Sequence, residues 1–333
     1  MKYVFVTGAG RCGTNLINGI LDGHSKLNVF PGEVTNLFFH TLINNGYSTN
    51  ISKDSNKNLI VNMFFTEINI TNKIKIKKKI LNRINKEKNI TLIKLINTIF
   101  TYLYPKKKYN VINIQNENIT GLLEYFKGAK IIHLLRHPYT QINSRYLLRH
   151  RQPVNYVGNE LSTSFRRNYN SFEQAKTHEK NKDVLVIKVE ELIKDQNTNI
   201  NQICDFLKIK AEKKNFKLTR SNHIFVSTIN GKKNYDYKIR KMDNDYSNLL
   251  PNDLYYCTKI QPAKKFYKIF NHSKVKNNYY LFLLRHLGFI GKNRKVPLNP
   301  FKIIKLTIHS IYNYMADIKY KDEFDYFLKD KKV

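Results

Sequence analysis

KYVFVTGAGRCGTNLINGIL, residues 2–21, decides the fold: β-branched and aromatic residues over Lys2–Val6 pass through three glycines into a helical pattern. Gly8, Gly10 and Gly13 let the backbone turn tightly, and apolar residues recur at Leu16, Ile17, Ile20 and Leu21 with helical spacing. A strand that turns sharply into a helix start leaves unpaired N–H groups pointing at one place, where the helix dipole favours negative charge. The stretch reads as a phosphate cradle. The plain alternative is a glycine turn that serves backbone geometry alone.

The nucleoside-triphosphate pattern G-x-x-x-x-G-K-[ST] fits Gly8 and Gly13 but meets Thr14 where the lysine belongs. The basic group stands instead at Arg11. Further along, KIIHLL (residues 130–135) reads as a buried strand ending in Arg136, His137 and Pro138, with Pro138 placed for a first helical turn and Ser144 on the helix that follows. A guanidinium holds two phosphate oxygens at once and a hydroxyl adds a donor, so this pair suits a phosphate monoester. The plain alternative makes Arg136 a surface ion-pair residue and Ser144 an exposed helical serine. A third strand pattern, DVLVIKV (residues 183–189), precedes Glu190, Glu191 and the amphipathic ICDFLKI (residues 203–209). Acids at a strand-to-helix junction favour the helix start, so these glutamates read as scaffold.

Taken in order, the three segments resemble the sulfotransferases that use 3′-phosphoadenosine 5′-phosphosulfate (PAPS), in motif style the tyrosylprotein, carbohydrate and bacterial types. Gly10, Arg11, Cys12, Gly13, Thr14 and Asn15 are similar to that family's 5′-phosphosulfate loop, with Cys12 and Asn15 standing where hydroxyl residues are usual. Arg136 and Ser144 match its 3′-phosphate site. The resemblance covers residues 1 to about 40 and 109 to about 210, and the rest matches poorly. It implies an α/β, P-loop-like fold with a mainly parallel central sheet flanked by helices on both faces. It also implies PAPS as co-substrate, no metal, and sulfuryl transfer to a hydroxyl or amine of an acceptor, a carbohydrate being one class.

Within that resemblance Arg11 is expected to stabilise the bridging oxygen of the leaving phosphate. Glu33 in PGEVT (residues 31–35) is similar to a catalytic Glu in a G-E-x-T segment, although the tyrosylprotein pattern has two acids there. A carboxylate in a partly buried loop can take the acceptor's proton. His40, on a predicted helix just after it, is the rival base, whereas His24 is assigned to a helix end. The resemblance also implies a late basic loop that covers the nucleotide in many sulfotransferases, for which Lys232, Lys233 and Lys238 in NGKKNYDYKIRK are the candidates, and the spacing does not select among them. Cys12 is read as an inert loop residue.

The chain has 333 residues, 41% of them hydrophobic with 20 Phe and 22 Tyr, enough for a substantial core. The organisation expected is a sulfotransferase domain over residues 1–290, with a helical substrate-side insertion at about 41–108, then a helical extension and tail over 291–333. An exposed loop is expected at residues 44–58, helices over 59–104, 277–290 and 300–314, and a loosely held tail from Lys319. No apolar run nears the ~18 residues of a membrane span, and the three cysteines have neither metal spacing nor an even disulfide framework. These features point to a cytoplasmic, reducing setting.

The balance of 58 Lys and Arg against 25 Asp and Glu gives a formal charge of +33. Such a charge attracts nucleic acid, anionic polymers or acidic membranes, but the abundance of Lys, Asn and Ile also matches AT-rich codons, and nucleic acid is not an expected partner. Two other functions compete with sulfuryl transfer. A P-loop kinase or other NTP enzyme lacks support from a loop lysine and from an obvious Mg-binding Asp at a strand end. A non-catalytic binder of anionic polymers has no need for separate 5′ and 3′ phosphate sites.

Overall fold

The computed structural model describes residues 2–34, 50–51, 54–66, 73–114, 118–151, 159–213, 218–220, 223–224, 226–229, 232–235, 249–274, 279–287 and 300–331. They form two compact units, one of residues 1–8, 13–134 and 178–241, the other of residues 9–12, 135–177 and 242–333.

The first unit is built on a five-stranded sheet of β1 (Tyr3–Gly8), β2 (Leu27–Glu33), β3 (Tyr109–Asn113), β4 (Lys130–Leu135) and β5 (Val184–Lys188), in the order β2-β3-β1-β4-β5. The pairs β2–β3, β3–β1 and β1–β4 are parallel. Between β3 and β4 the chain crosses from one side of β1 to the other, so the carboxyl end of β1 is the topological switch point where open sheets of this kind bind ligands. The α/β class and the mainly parallel sheet expected from the sequence are therefore present.

All six residues of β1 are buried, and they serve two faces because side chains alternate along a strand. Tyr3 and Phe5 join Phe30, Ile112 and Ile131 in one cluster with the helices α2 (Asp54–Thr66), α3 (Lys73–Ile84), α4 (Leu92–Leu103) and α5 (Ile119–Tyr125). Val4 and Val6 point to the opposite face, that of α1 (Thr14–Leu21), whose Ile17, Ile20 and Leu21 are buried. Burying each of Phe5, Phe30, Phe64 and Phe100 stabilises the unit by roughly 1.5–3 kcal/mol. This helical stretch thus supplies a core layer: α3 buries Ile80 and Ile84 while Lys75, Lys78 and Lys79 stay exposed. Its first helix starts at Asp54, inside the stretch expected to be loop, and an acid there complements the helix dipole.

Lys188 leads from β5 into α8 (Val189–Lys194), where Glu190 and Glu191 occupy the first turn and Glu191 pairs with Lys188 at 2.8 Å. Glu191 thus pairs within the fold, and both acids stand in the first helical turn, where their charge suits the helix start. Asp195 then caps α9 (Gln196–Phe206) by accepting from the Thr198 N–H.

The second unit contains α6 (Pro138–Arg151), α7 (Asn159–His178, whose last residue belongs to the first unit), α10 (Pro251–Thr258), α11 (Tyr279–Leu287) and α12 (Pro300–Asp330). Phe165, Tyr256 and Phe324 form its aromatic centre, with Phe165 and Phe324 stacked at 5.7 Å between ring centroids. Beside them Lys321 Nζ meets Asp253 Oδ1 at 2.7 Å, the two side chains being 4% and 0% exposed. The other Asp253 oxygen accepts from the Leu250 N–H, and the Tyr256 hydroxyl donates to Asp325. These contacts correct the expectation of a loose tail from Lys319. The helix begun at Pro300 runs on to Asp330 because its far end buries an aromatic side chain and an ion pair, which periodicity near the chain end does not reveal. Among the described residues no helix is long and apolar enough to cross a membrane.

Candidate active site

In the first unit the chain leaves β1 at Gly8 and α1 starts from Gly13, whose φ of 95° lies in the left-handed region that glycine tolerates. A Cβ at Gly13 would also stand 3.1 Å from Val189 Cγ2, so both backbone angle and space select glycine. The start of α1 has no side-chain cap and no acid in its first turn. The Leu16 and Ile17 N–H groups bond the Gly13 carbonyl, while Thr14 and Asn15 are first-turn residues with no intrahelical acceptor for their N–H groups. Thr14 is buried, and Asn15 is exposed with its Oδ1 accepting a 2.7 Å hydrogen bond from Asn113 Nδ2. That bond turns the Asn15 NH2 away as a free-standing donor.

Asn113 is the last residue of β3 and fully buried. Its backbone pairs in register with Glu33, and its carbonyl accepts from the Val34 N–H at 3.0 Å. Glu33 is the final residue of β2 itself, beyond a register shift that follows Val29, and not a loop residue after the strand. One asparagine thus adjoins the backbone of Glu33 and the side chain of Asn15. His40 lies outside the described residues. His24, buried after α1, places Nε2 3.0 Å from the Lys210 carbonyl, with Nδ1 accepting from the Lys26 N–H, so it ties chain segments together at the amino-end side of β2.

In the second unit, residues 9–12 meet the segment that follows β4. Arg11 has φ 69°, a left-handed backbone that an arginine rarely adopts. Two side chains hold this loop by its carbonyls: Arg136 Nη1 donates to Arg11 O at 3.0 Å, and buried Gln141 Nε2 donates to Gly10 O at 2.7 Å. The Cys12 N–H closes the turn on Ala9 O at 3.2 Å, and Cys12 itself is 1% exposed, consistent with a small loop residue. Arg11 projects to the surface, where its Nε donates to Ser144 Oγ at 3.3 Å. Arg11, Arg136 and Ser144, predicted from two motifs more than a hundred residues apart, are therefore one cluster.

Pro138 opens α6 as expected, and Thr140 Oγ1 donates to the His137 carbonyl at 3.0 Å. His137 Nε2 lies 3.3 Å from the Lys268 carbonyl, and His133 is fully buried in β4. Lys232 and Lys233 stand on a strand of an antiparallel ribbon, Val226–Ile229 with Lys232–Tyr235, and not in a loop. Backbone pairing of Ile229 with Lys232 sets this segment in the ribbon, where the resemblance implied a loop. Lys238 lies outside the described residues.

Sequence reading passed over Asn113 and Gln141. The signal for Asn113 was a polar residue closing an apolar strand at the switch-point edge. Gln141 carried no signal beyond its place in the first turn after Pro138, because its partner is a backbone carbonyl.

A family model described as "Sulfotransferase family" matches residues 4–213. Solved structures similar to the chain include the sulfotransferase domain from the curacin biosynthetic pathway, with 21% identity over 65% of this chain and 77% of that one, at a TM-score of 0.47. The sulfotransferase domain of the Synechococcus PCC 7002 olefin synthase has 18% identity over 65% and 76% of the two chains, at a TM-score of 0.45. A sulfotransferase from Alicyclobacillus acidocaldarius has 16% identity over 63% and 82%, at a TM-score of 0.38. No curated protein matched. The family match takes in β1 and its glycine turn, the Arg136–Ser144 segment and the β5–α9 scaffold, and by it the chain belongs to the sulfotransferase family.

Proposed function

We propose that this protein moves a sulfuryl group from PAPS to a hydroxyl or amine of an acceptor, a carbohydrate being the class we would test first. The observation that carries the reading is the Arg11–Ser144–Arg136 cluster, in which two guanidinium groups and a hydroxyl gather on one glycine-rich turn. Its chemistry fits a donor bearing two phosphate groups and a sulfate: the cluster presents N–H and O–H donors and two fixed positive charges. The first-turn N–H groups of Thr14 and Asn15, with the Asn15 amide, suit the 5′-phosphate. Ser144 and Arg136 suit the 3′-phosphate. Gly10, Cys12 and Lys232 complete the proposed nucleotide contacts. The domain proposed spans residues 1–290, with residues 291–333 as its extension.

In the transfer the acceptor oxygen forms a bond to sulfur as the bond from sulfur to the bridging phosphate oxygen breaks, and adenosine 3′,5′-bisphosphate leaves. Charge builds on the bridging oxygen, where Arg11 stabilises it, and positioning with fixed charge does most of the work, as in phosphoryl transfer. The acceptor proton passes to Glu33, whose backbone register partner Asn113 also holds Asn15. His40 is the second candidate base.

The test is release of adenosine bisphosphate from PAPS with and without a panel of carbohydrate acceptors, alongside Arg11→Ala. That substitution should cut turnover about a hundredfold, in the range of a lost oxyanion contact, and weaken product binding far less because the product lacks the sulfate. Turnover left intact by Arg11→Ala would reassign the loop.

A further inference from the structure

The amino ends of the central strands carry a cavity of about 500 Å³, within the size range of small-molecule sites. Lys2, Asn28, Phe100, Tyr104, Lys106 and Asn110 line it. Lys2 precedes β1, while Asn28 and Asn110 are each the second residue of β2 and β3. β1 is six residues long, so the cavity is about 20 Å from the strand's carboxyl end at ~3.3 Å per residue; with sulfuryl transfer proposed at that end, the occupant of this cavity is not the acceptor. We propose that this cavity is a binding site for a small aromatic anion, with the charged end between Lys2 and Lys106 and the ring against Phe100 and Tyr104.

Three features define the ligand. First, the lining has cations and no carboxylate. Lys107 is committed to the carbonyls of His24 and Leu27, and Lys108 to those of Leu207 and Lys208. Lys2 and Lys106 are exposed and form no ion pair among the described residues. Second, the amide chain at the floor ends in a donor. The Pro105 carbonyl accepts from Asn28 Nδ2 at 2.9 Å, and the same nitrogen donates to Asn110 Oδ1 at 3.0 Å. With its Oδ1 taken up by Asn28, Asn110 keeps its NH2 as the donor it can offer to the cavity it lines. An amide NH2 on the cavity wall suits an acceptor oxygen of a ligand.

Third, the wall is aromatic. Phe100 and Tyr104 lie 5.3 Å apart between ring centroids. Burial, with a smaller contribution from Asp22, holds the Tyr104 phenol well above its ordinary range, so it stays neutral and does not repel an anion. A flat ring with a carboxylate, sulfate or phosphate meets all three demands. Asn28 and Asn110 join β2 to β3, so an occupant that bonds Asn110 also braces that strand pair.

The experiment is isothermal titration of the full chain with 1-naphthoate at about 0.15 M salt, where free surface charges are screened beyond ~8 Å. One saturable site is expected, with 1-naphthylmethanol and acetate each binding more weakly and with no displacement by adenosine 3′,5′-bisphosphate. The double variant Lys2→Gln and Lys106→Gln should bind about tenfold more weakly or worse, since two charge-assisted contacts are lost, while Lys106→Arg retains binding. Both lysines are exposed, so an unchanged unfolding midpoint is expected for these variants. Absence of saturable binding, equal binding by the Lys→Gln double variant, or displacement by the bisphosphate would each overturn the assignment.

Discussion

Arg136 Nη1 donates a 3.0 Å hydrogen bond to the carbonyl oxygen of Arg11, so the arginine at the end of β4 holds the loop arginine in a left-handed backbone state. That state costs about 1–2 kcal/mol for a residue with a Cβ, and it lasts only where neighbours enforce it. Gln141 enforces it as well, one residue earlier, through the Gly10 carbonyl. Arg136 is therefore a support for the loop in addition to its proposed contact with the 3′-phosphate.

The two roles separate in a pair of substitutions. Ser144→Ala removes a donor without touching the loop backbone, so it should weaken adenosine 3′,5′-bisphosphate several-fold and leave AMP unchanged. Arg136→Ala should weaken the bisphosphate by about tenfold or more, a charge-assisted bond being worth roughly 1.5–3 kcal/mol, and should also weaken AMP because the loop loses its brace. Titration calorimetry of both ligands reads the difference. Equal loss of both ligands in Ser144→Ala would remove that residue from the 3′-phosphate site.

Gly13→Ala is expected to destabilise the first unit by about 1–3 kcal/mol, through the strained φ of 95° and the 3.1 Å approach to Val189. Urea unfolding measures it. In a double-mutant cycle with Val189→Ala, the combined loss should be smaller than the sum of the single losses, since the truncated side chain clears the space. Strict additivity would mean that backbone strain alone selects glycine there.

Glu33→Gln keeps the size of the side chain and removes its ability to take a proton. Folding and PAPS affinity should persist while turnover falls by ~100-fold or more, and the acidic limb of the pH–rate profile should vanish with it. The comparison variant is His40→Ala. Near-normal turnover in Glu33→Gln combined with its loss in His40→Ala would transfer the base to His40.

Lys321→Met leaves the Asp253 carboxylate buried without its 2.7 Å partner, and a broken buried pair typically costs about 3–5 kcal/mol. Thermal and urea unfolding should register that loss. A change within about 0.5 kcal/mol, the range of ordinary surface substitutions, would contradict the packing of the far end of α12.

The strand, glycine turn and helix at residues 3–21, the strand that becomes β4 and the apolar faces of α1 and α4 were readable from the chain alone, because each rests on periodicity or backbone freedom that neighbouring residues determine. Arg11, Arg136 and Ser144 were readable as residue types suited to phosphate, but their meeting in one cluster was not. Asn113 and Gln141 act through a side chain and a carbonyl distant in sequence, and only the packed fold supplies those partners. The same holds for α12. Its length beyond Tyr314 depends on Phe324 and Lys321 being buried against residues some seventy to a hundred and sixty positions earlier, and local propensity carries no record of such long-range burial.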